Sequence, residues 1–267
     1  MELHATAVVS PAAKIGEGNH VGPFVVIEDD VIIGDGNCFE AHAVVKRGTR
    51  IGNGNVIHEH AVIGGTAQDL KFKGADSTVT IGDRNVIREG VTIHRGSREG
   101  SSTIVGDENM FMVYSHVAHD CRVGNEVIIA NNVALAGEVD IDDKVFISGG
   151  VVVHQFTRLG RLAMIGGNSK IVQSVLPFFV TDGAPARLRG VNVVGLKRAG
   201  HTLDEIRLLK DAYRILIGSG LSLKAATQEV QRIGSPCTDY LTDFLLHAGP
   251  RGFHRRAIEA PGGPEPG

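Results

Sequence analysis

Every sixth residue from Leu3 is apolar: Leu3, Val9, Ile15, Val21, Ile27, Ile33, Phe39, Val45, Ile51, Ile57 and Ile63. The residue four further on is usually small or β-branched, as at Ala7, Ala13, Val25, Val31, Ala43 and Ala61. Glycine often follows the apolar position, at Gly16, Gly22, Gly34, Gly52 and Gly64. An α-helix would repeat at 3.6 residues and an exposed strand at 2. A period of six is the signature of a parallel β-helix. Each hexad supplies one short strand and one tight bend, and three hexads close a triangular coil. One apolar side chain per hexad points into the narrow prism, and a smaller one fits the corner. Stacked coils pair their strands about 4.8 Å apart.

The phase resumes at Ile81, Ile87 and Ile93, and again at Val105, Phe111, Val117, Val123, Ile129, Leu135, Ile141, Ile147, Val153, Leu159, Ile165 and Ile171. Between these runs the inward slots hold Asp69, Ala75 and Glu99. An unpaired carboxylate in a dry prism costs several kcal/mol, so residues 66–77 and 96–102 are predicted to bulge out as loops. Loops on a rigid scaffold are where function concentrates. Gln68-Asp69-Leu70-Lys71 offers an acceptor, a carboxylate and a cation together.

The repeat fades at Leu176-Pro177-Phe178-Phe179, and Gly183-Ala-Pro-Ala reads as an exit turn. Thr202-Leu-Asp-Glu205 is a capping box that opens a helix. Ser222 predicts a second helix to about 233, and Ser235-Pro236 a third to about 247. The expected division is a β-helix over 1–186, a helical domain over 187–256 that covers the open last coil, and a disordered tail over 257–267.

Composition adjusts this picture in three ways. With 10 Phe, 3 Tyr and no Trp, the core rests on Val, Ile and Leu. The net charge of −3 conceals an asymmetry: residues 1–186 carry 15 Lys/Arg against 22 Asp/Glu, residues 187–256 carry 12 against 6. A basic end on an acidic body suggests an acidic partner, or simply solvated helix faces. Cys38, Cys121 and Cys237 form no even, closely spaced set, so a reduced cytoplasmic protein is expected. Met1-Glu2-Leu3-His4 has no signal-peptide character, and no apolar run is long enough for a membrane span.

Coil geometry converts separation into stacking, because residues eighteen apart share a column. His119, Gly137 and Gln155 fall in one column, and Asp120, Glu138 and Phe156 in the next. His116 lies one bend before His119, and His154 stands beside Gln155. Three readings fit this cluster. It can be an ordinary solvated face of a solenoid. It can be a three-histidine zinc site, as in the gamma-class carbonic anhydrases, although those pair two histidines five apart and here the pair is three apart. It can be catalytic, with His119 as a general base: a histidine's unperturbed pKa of about 6.5 suits neutral pH, and the bare N–H of Gly137 could face an oxyanion.

Taken together, several motifs resemble the UDP-N-acetylglucosamine acyltransferases of lipid A biosynthesis: Asn53-Gly-Asn55, Gln68-Asp-Leu-Lys71, Ile81-Gly-Asp-Arg-Asn-Val-Ile-Arg88, Val91-Thr-Ile-His-Arg-Gly96, His116-Val-Ala-His-Asp-Cys121, Ala130-Asn-Asn132, His154-Gln-Phe156, Gly190-Val-Asn192 and Gly195-Leu-Lys-Arg198. The likeness runs from about residue 5 to 250. It implies an all-β fold with C-terminal α structure, a left-handed parallel β-helix followed by a small helical domain. It implies transfer of an (R)-3-hydroxyacyl chain from acyl carrier protein to the 3-hydroxyl of UDP-N-acetylglucosamine, without a cofactor or metal, by a homotrimer with sites between subunits. His119 matches the general base, Asp120 its supporting carboxylate, and Gly137 the N–H that faces the thioester oxygen. Gln68, Asp69 and Lys71 would contact substrate from the first loop. His116, His154 and Gln155 would line the cleft, and Asn192 and Arg198 would bind the nucleotide end. An acidic carrier protein would account for the basic charge of residues 187–256.

Some positions depart from the family. Glu138 stands where many members have a histidine, and Val194 and Ala199 replace a carboxylate and an arginine near the nucleotide site. Gly167 matches the position whose bulk limits acyl length, so a longer chain is expected, unless Gly166-Gly167 is only a tight bend. Two alternatives stay open: an N-acyltransferase acting on a 3-amino sugar nucleotide or a glucosamine acceptor, and a non-catalytic hexapeptide-repeat scaffold. The related N-acyltransferases carry an extra uridine-binding domain before the β-helix, for which hexads beginning at Leu3 leave no room. Neither a nucleic-acid partner nor a membrane span is expected.

Overall fold

A computed structural model describes residues 2–247 and 249–254; the expected tail from Ala257 lies outside them. Among the described residues, short strands, mostly of two residues, build three sheets of 11, 9 and 8 strands, parallel except for the last pair of the largest, that form the faces of a triangular coil. The inward residue of each pair is buried without exception from Val21 to Ile171, and these side chains form one continuous core. Leu3, at the open first coil, is still exposed. β-Branched residues dominate because a two-residue strand between bends rewards stiff side chains that fill a fixed slot.

Successive coils pair at a separation of eighteen residues, as in Glu2 with His20 and His116 with Ala134. The register shows where extra chain enters. Val56 pairs with Val86, thirty residues on, so twelve residues are added between the strands Val62–Gly65 and Thr78–Ile81. Thr92 pairs with His116, twenty-four on, so six are added between Thr92–His94 and Ser102–Val105. Both insertions are multiples of six. The hexad phase survives them, and only the polar residues in the slots betray the loops.

A column of buried asparagines runs up one inner corner. The Oδ1 of Asn19, Asn37, Asn55 and Asn85 each accepts the backbone N–H and the Nδ2 of the asparagine above, at 2.8–3.0 Å. The column ends at Asn109, whose Oδ1 accepts the N–H of Val127 at 2.8 Å. Other corners turn through left-handed backbone conformations at non-glycine residues, among them Asp120, Glu138 and Phe156 with φ of 60°, 58° and 62°.

The coil closes with an antiparallel pair, Phe179–Gly183 and Ala186–Val191, which extends the largest sheet. Among the described residues four helices follow: α1 (Val193–Arg198), α2 (Leu203–Gly218), α3 (Leu223–Gln231) and α4 (Pro236–Leu246). Thr202 and Glu205 cap the start of α2 reciprocally, and Ser235 with Thr238 does the same for α4. Leu196, Leu209, Leu216 and Phe244 bury their faces against Leu162, Leu176, Phe178 and Phe179 of the last coil. Arg158, whose guanidinium lies 4.7 Å from the Phe244 ring and 3.0 Å from Asp142, pins α4 to the coil. No helix among the described residues is long and apolar enough to cross a membrane.

Candidate active site

The outer column from His119 to Gln155 forms one wall of an open cleft of about 720 Å³, and the first loop forms the other through Gln68, Asp69, Leu70 and Lys71. His119 follows the strand His116–Val117, and its carbonyl accepts the Glu138 N–H of the next coil at 3.0 Å. Its imidazole lies flat on the next coil: a Cβ at Gly137 would stand 2.4 Å from Cε1 and 2.5 Å from Nε2. Only glycine permits this approach. Among the described residues no protein acceptor takes the Gly137 N–H.

His119 Nδ1 donates to Asp120 Oδ2 at 2.9 Å. A carboxylate there can only accept, so the contact places the proton on Nδ1 and leaves Nε2 as the free acceptor. Asp120 is itself held from three sides. Its N–H donates to Thr103 Oγ1 at 2.8 Å, and its Oδ2 accepts Ser97 Oγ at 2.6 Å and Ser97 N at 3.1 Å. Burial alone would raise the Asp120 carboxyl; hydrogen bonding from Ser101, Ser97 and His119 outweighs it and holds the group below the ordinary carboxylate value.

His116 sits behind the column, hydrogen-bonded through Nδ1 to Thr92 Oγ1 at 2.7 Å. His94 meets it edge-on, with ring centroids 4.9 Å apart. Burial, then the neighbouring His119, lowers His116; burial, then His116 and His119, lowers His94 to about 4. Both are therefore neutral at physiological pH. His154 and Gln155 are exposed two coils beyond His119, and His154 Nδ1 is 3.2 Å from the Gln155 carbonyl. His116, His119 and His154 do not converge on one point: the described groups of three donor residues within 4.8 Å are His201–Glu205–Cys237 and His58–Glu59–Glu89, and neither includes a residue of the cleft.

Other sequence-selected residues lie elsewhere. Asn192 is buried at the start of α1, where Oδ1 accepts the Gly195 N–H at 3.0 Å and Nδ2 donates to the Leu162 carbonyl at 2.9 Å. Arg198 is exposed in the last turn of that helix. Neither lines the cleft. Gly167 is exposed, its backbone is not left-handed, and a Cβ there would meet nothing closer than 3.5 Å. The fold therefore does not require glycine at 167. Two residues that sequence reasoning passed over belong to the site: His94, buried behind it, and Arg98, whose Nη1 bonds Glu138 Oε1 at 2.7 Å. Glu99 in an inward slot marked the second loop but gave no signal for Arg98, since a loop's path does not follow the coil period.

Comparison with known proteins places this architecture. A profile of the bacterial transferase hexapeptide repeat matches residues 12–47 and 102–137. The fold is the left-handed parallel β-helix of hexapeptide-repeat transferases, followed by a helical domain. A profile described as UDP N-acetylglucosamine O-acyltransferase, domain 2, matches residues 175–254. The acyl-(acyl-carrier-protein)–UDP-N-acetylglucosamine O-acyltransferase of Alkalilimnicola ehrlichii is 46% identical over 252 residues, 93% of this chain and 97% of that protein. The crystal structure of a UDP-N-acetylglucosamine acyltransferase from Bacteroides fragilis superimposes with a TM-score of 0.92 at 43% identity, covering 95% of this chain and all of that one. Its counterpart from Francisella novicida gives 0.92 at 35% identity, over 96% and 94%. The chain belongs to the acyl-(acyl-carrier-protein)–UDP-N-acetylglucosamine O-acyltransferase family, and it is an acyltransferase.

Proposed function

We propose that His119 is the general base through which this enzyme moves an (R)-3-hydroxyacyl chain from acyl carrier protein to the 3-hydroxyl of UDP-N-acetylglucosamine, the first step of lipid A synthesis. The observation that carries the reading is the orientation of one imidazole. Nδ1 is committed to Asp120 at 2.9 Å, and the opposite edge lies over Gly137 in the open cleft. A base of this kind contributes roughly 10²–10⁴ in rate.

In the reaction, Nε2 takes the proton of the sugar hydroxyl as its oxygen attacks the thioester carbonyl. The C–O bond forms and the carbonyl electrons move to oxygen, where the Gly137 N–H donates to the developing oxyanion. Collapse breaks the C–S bond, and the departing thiolate takes the proton back from the imidazolium. Asp120 stabilises that imidazolium and holds the ring in place. Gln68, Asp69 and Lys71 bind the sugar nucleotide or the acyl donor from the loop, with His116 buried behind the base and His154 and Gln155 on the open side.

We further propose a homotrimer with cleft walls shared between copies. One protomer leaves the cleft open, and Leu70 stands fully exposed at its rim. Asn192 and Arg198 lie off the cleft of their own chain, so a nucleotide role needs a neighbour's cleft. Gly167 leaves room for a long acyl chain. A cytoplasmic location, where both substrates are made, fits the free state of all three cysteines.

The test is an assay of the purified protein with carrier-bound 3-hydroxyacyl donors of graded length and with 3-hydroxyl and 3-amino sugar nucleotides, products read by mass. Transfer to the 3-hydroxyl compound, lost in a folded His119→Ala variant, is the expected result. Near-normal turnover by that variant would remove the assignment of the base.

A further inference from the structure

Asp120 is bonded to His119 Nδ1, Glu138 shares the cleft wall with His119, and one guanidinium touches both carboxylates. Arg98 Nη1 donates to Glu138 Oε1 at 2.7 Å, and Nη2 lies 3.8 Å from Asp120 Oδ1. The Asp120 side chain is 5% exposed, so that end of the contact is poorly screened; the Glu138 end, at 30%, is screened more. Arg98 does not arrive there by chance of a floppy loop. Ser97 anchors the preceding residue on Asp120 through both N and Oγ, the Arg98 N–H donates to Ser101 Oγ at 3.0 Å, and the Ser101 N–H returns to the Arg98 carbonyl at 3.0 Å. Gly96 lets the loop fold this tightly, since a Cβ there would stand 2.7 Å from the Ser101 backbone. Glu138 is aimed by its own corner, a left-handed residue at φ 58° stacked directly above Asp120.

We propose that Arg98 is a positioning residue for acyl transfer: by bridging Glu138 and Asp120 it offsets the two carboxylates beside His119 and sets the pH below which the imidazole ceases to act as a base. This rests on the general-base reading above. Among the described residues the other charged or titratable groups around His119 are Asp120 and His116 on its own coil, His94 one coil below, Asp69 and Lys71 across the cleft, and the exposed His154 two coils above, outside the cleft lining. His94 and His116 are neutral, and Asp69 with Lys71 sums to zero. The balance that remains is Asp120 and Glu138 against Arg98.

The sign follows directly. Removing the cation leaves two uncompensated carboxylates, which favour the protonated imidazole. In Arg98→Met the acid limb of the kcat/KM–pH profile therefore moves up by roughly one unit, a loss of about tenfold on that limb with the plateau at higher pH largely kept. Glu138→Gln leaves Arg98 balanced by Asp120 alone, one negative charge fewer than in the parent, and moves the limb down. The double variant returns it close to that of the parent enzyme. A purely structural role would lower kcat/KM by the same factor at every pH.

The profiles are best paired with an NMR titration of the His119 ring in each protein, which reads the same shift without turnover. Should Arg98→Met fail to fold, the Glu138→Gln shift and its NMR counterpart decide the matter. Limbs and ring titrations unmoved in the folded single variants would overturn the proposal. That failure is distinct from failure of the base assignment, which would appear as retained activity in His119→Ala.

Discussion

The inner asparagine column and the outer histidine column use the same stacking, one coil above the next, for opposite ends. In the inner column each Oδ1 from Asn19 to Asn85 accepts two N–H groups from the asparagine above, Asn109 Oδ1 accepts the Val127 N–H, and every Nδ2 finds an oxygen. Nothing is left over, and the column acts as a buried strap whose bonds reinforce one another. The outer column is satisfied on one side only. Asp120 is bound by Ser97, Thr103 and His119, but His119 lines the open cleft and, among the described residues, no protein acceptor takes the N–H of the buried Gly137. A closed polar ladder gives stability, and a ladder with one edge left unpaired gives a place for chemistry.

The sharpest way to break that contrast is to close the open edge. Gly137→Ala puts a methyl 2.4 Å from the His119 ring, so the imidazole must leave either Asp120 or the cleft. Because the backbone at 137 is not left-handed, the fold should survive. We expect kcat/KM to fall by roughly 10²–10³ with the melting temperature little changed; steady-state kinetics beside thermal denaturation reads both.

Next in size is the effect of acid on the histidine behind the column. His94 is held down to about 4, so it stays neutral in the fold while an unfolded histidine takes up a proton near 6.5. Stability should therefore decline as pH drops from about 6.5 to about 4, by on the order of 3 kcal/mol from this residue. His116 acts in the same direction. Denaturant titrations across this range should give a shallower decline in His94→Gln than in the parent protein.

Opening the closed ladder should do the reverse of closing the open one. Asn55→Ala takes one of two donors from Asn37 Oδ1 and leaves the backbone N–H of Asn85 without its acceptor, and should cost about 2–3 kcal/mol. Turnover per folded molecule should stay near that of the parent enzyme, which distinguishes a strap from a site. The smallest effect is expected from Thr103→Val, which keeps the shape of a buried residue but orphans the Asp120 N–H. About 1 kcal/mol of stability and a several-fold drop in kcat/KM are expected, because Asp120 belongs to both accounts. A change in stability alone would mean that Thr103 supports the corner and not the base.

Much of this architecture was legible in one dimension because a coil is nearly a one-dimensional object. Inward slots recur every sixth residue, so Ile27 or Phe111 can be assigned without knowing what lies across the prism. Columns recur every eighteenth, so the meeting of His119 with Gly137 could be read by counting. The loops were visible through Asp69 and Glu99, which the prism could not hold. Arg98 was not visible: it reaches Glu138 across forty residues along a loop path set by Ser97, Ser101 and Gly96. The same holds for His94 against His116, whose separation includes the six-residue insertion, and for corners such as Glu138, where a left-handed backbone is imposed on a residue that does not favour it.

Periodicity alone thus settled the coil, its core and the stacking of the site's central column, because each depends only on a fixed number of residues per turn. The tautomer of His119, the bridge from Arg98, the neutrality of His94 and the occupation of Asn192's amide by its own helix were decided in three dimensions. Each turns on distances of about 3 Å between groups whose separation along the chain carries no period, and a hydrogen bond or ion pair weakens steeply once such a distance is missed.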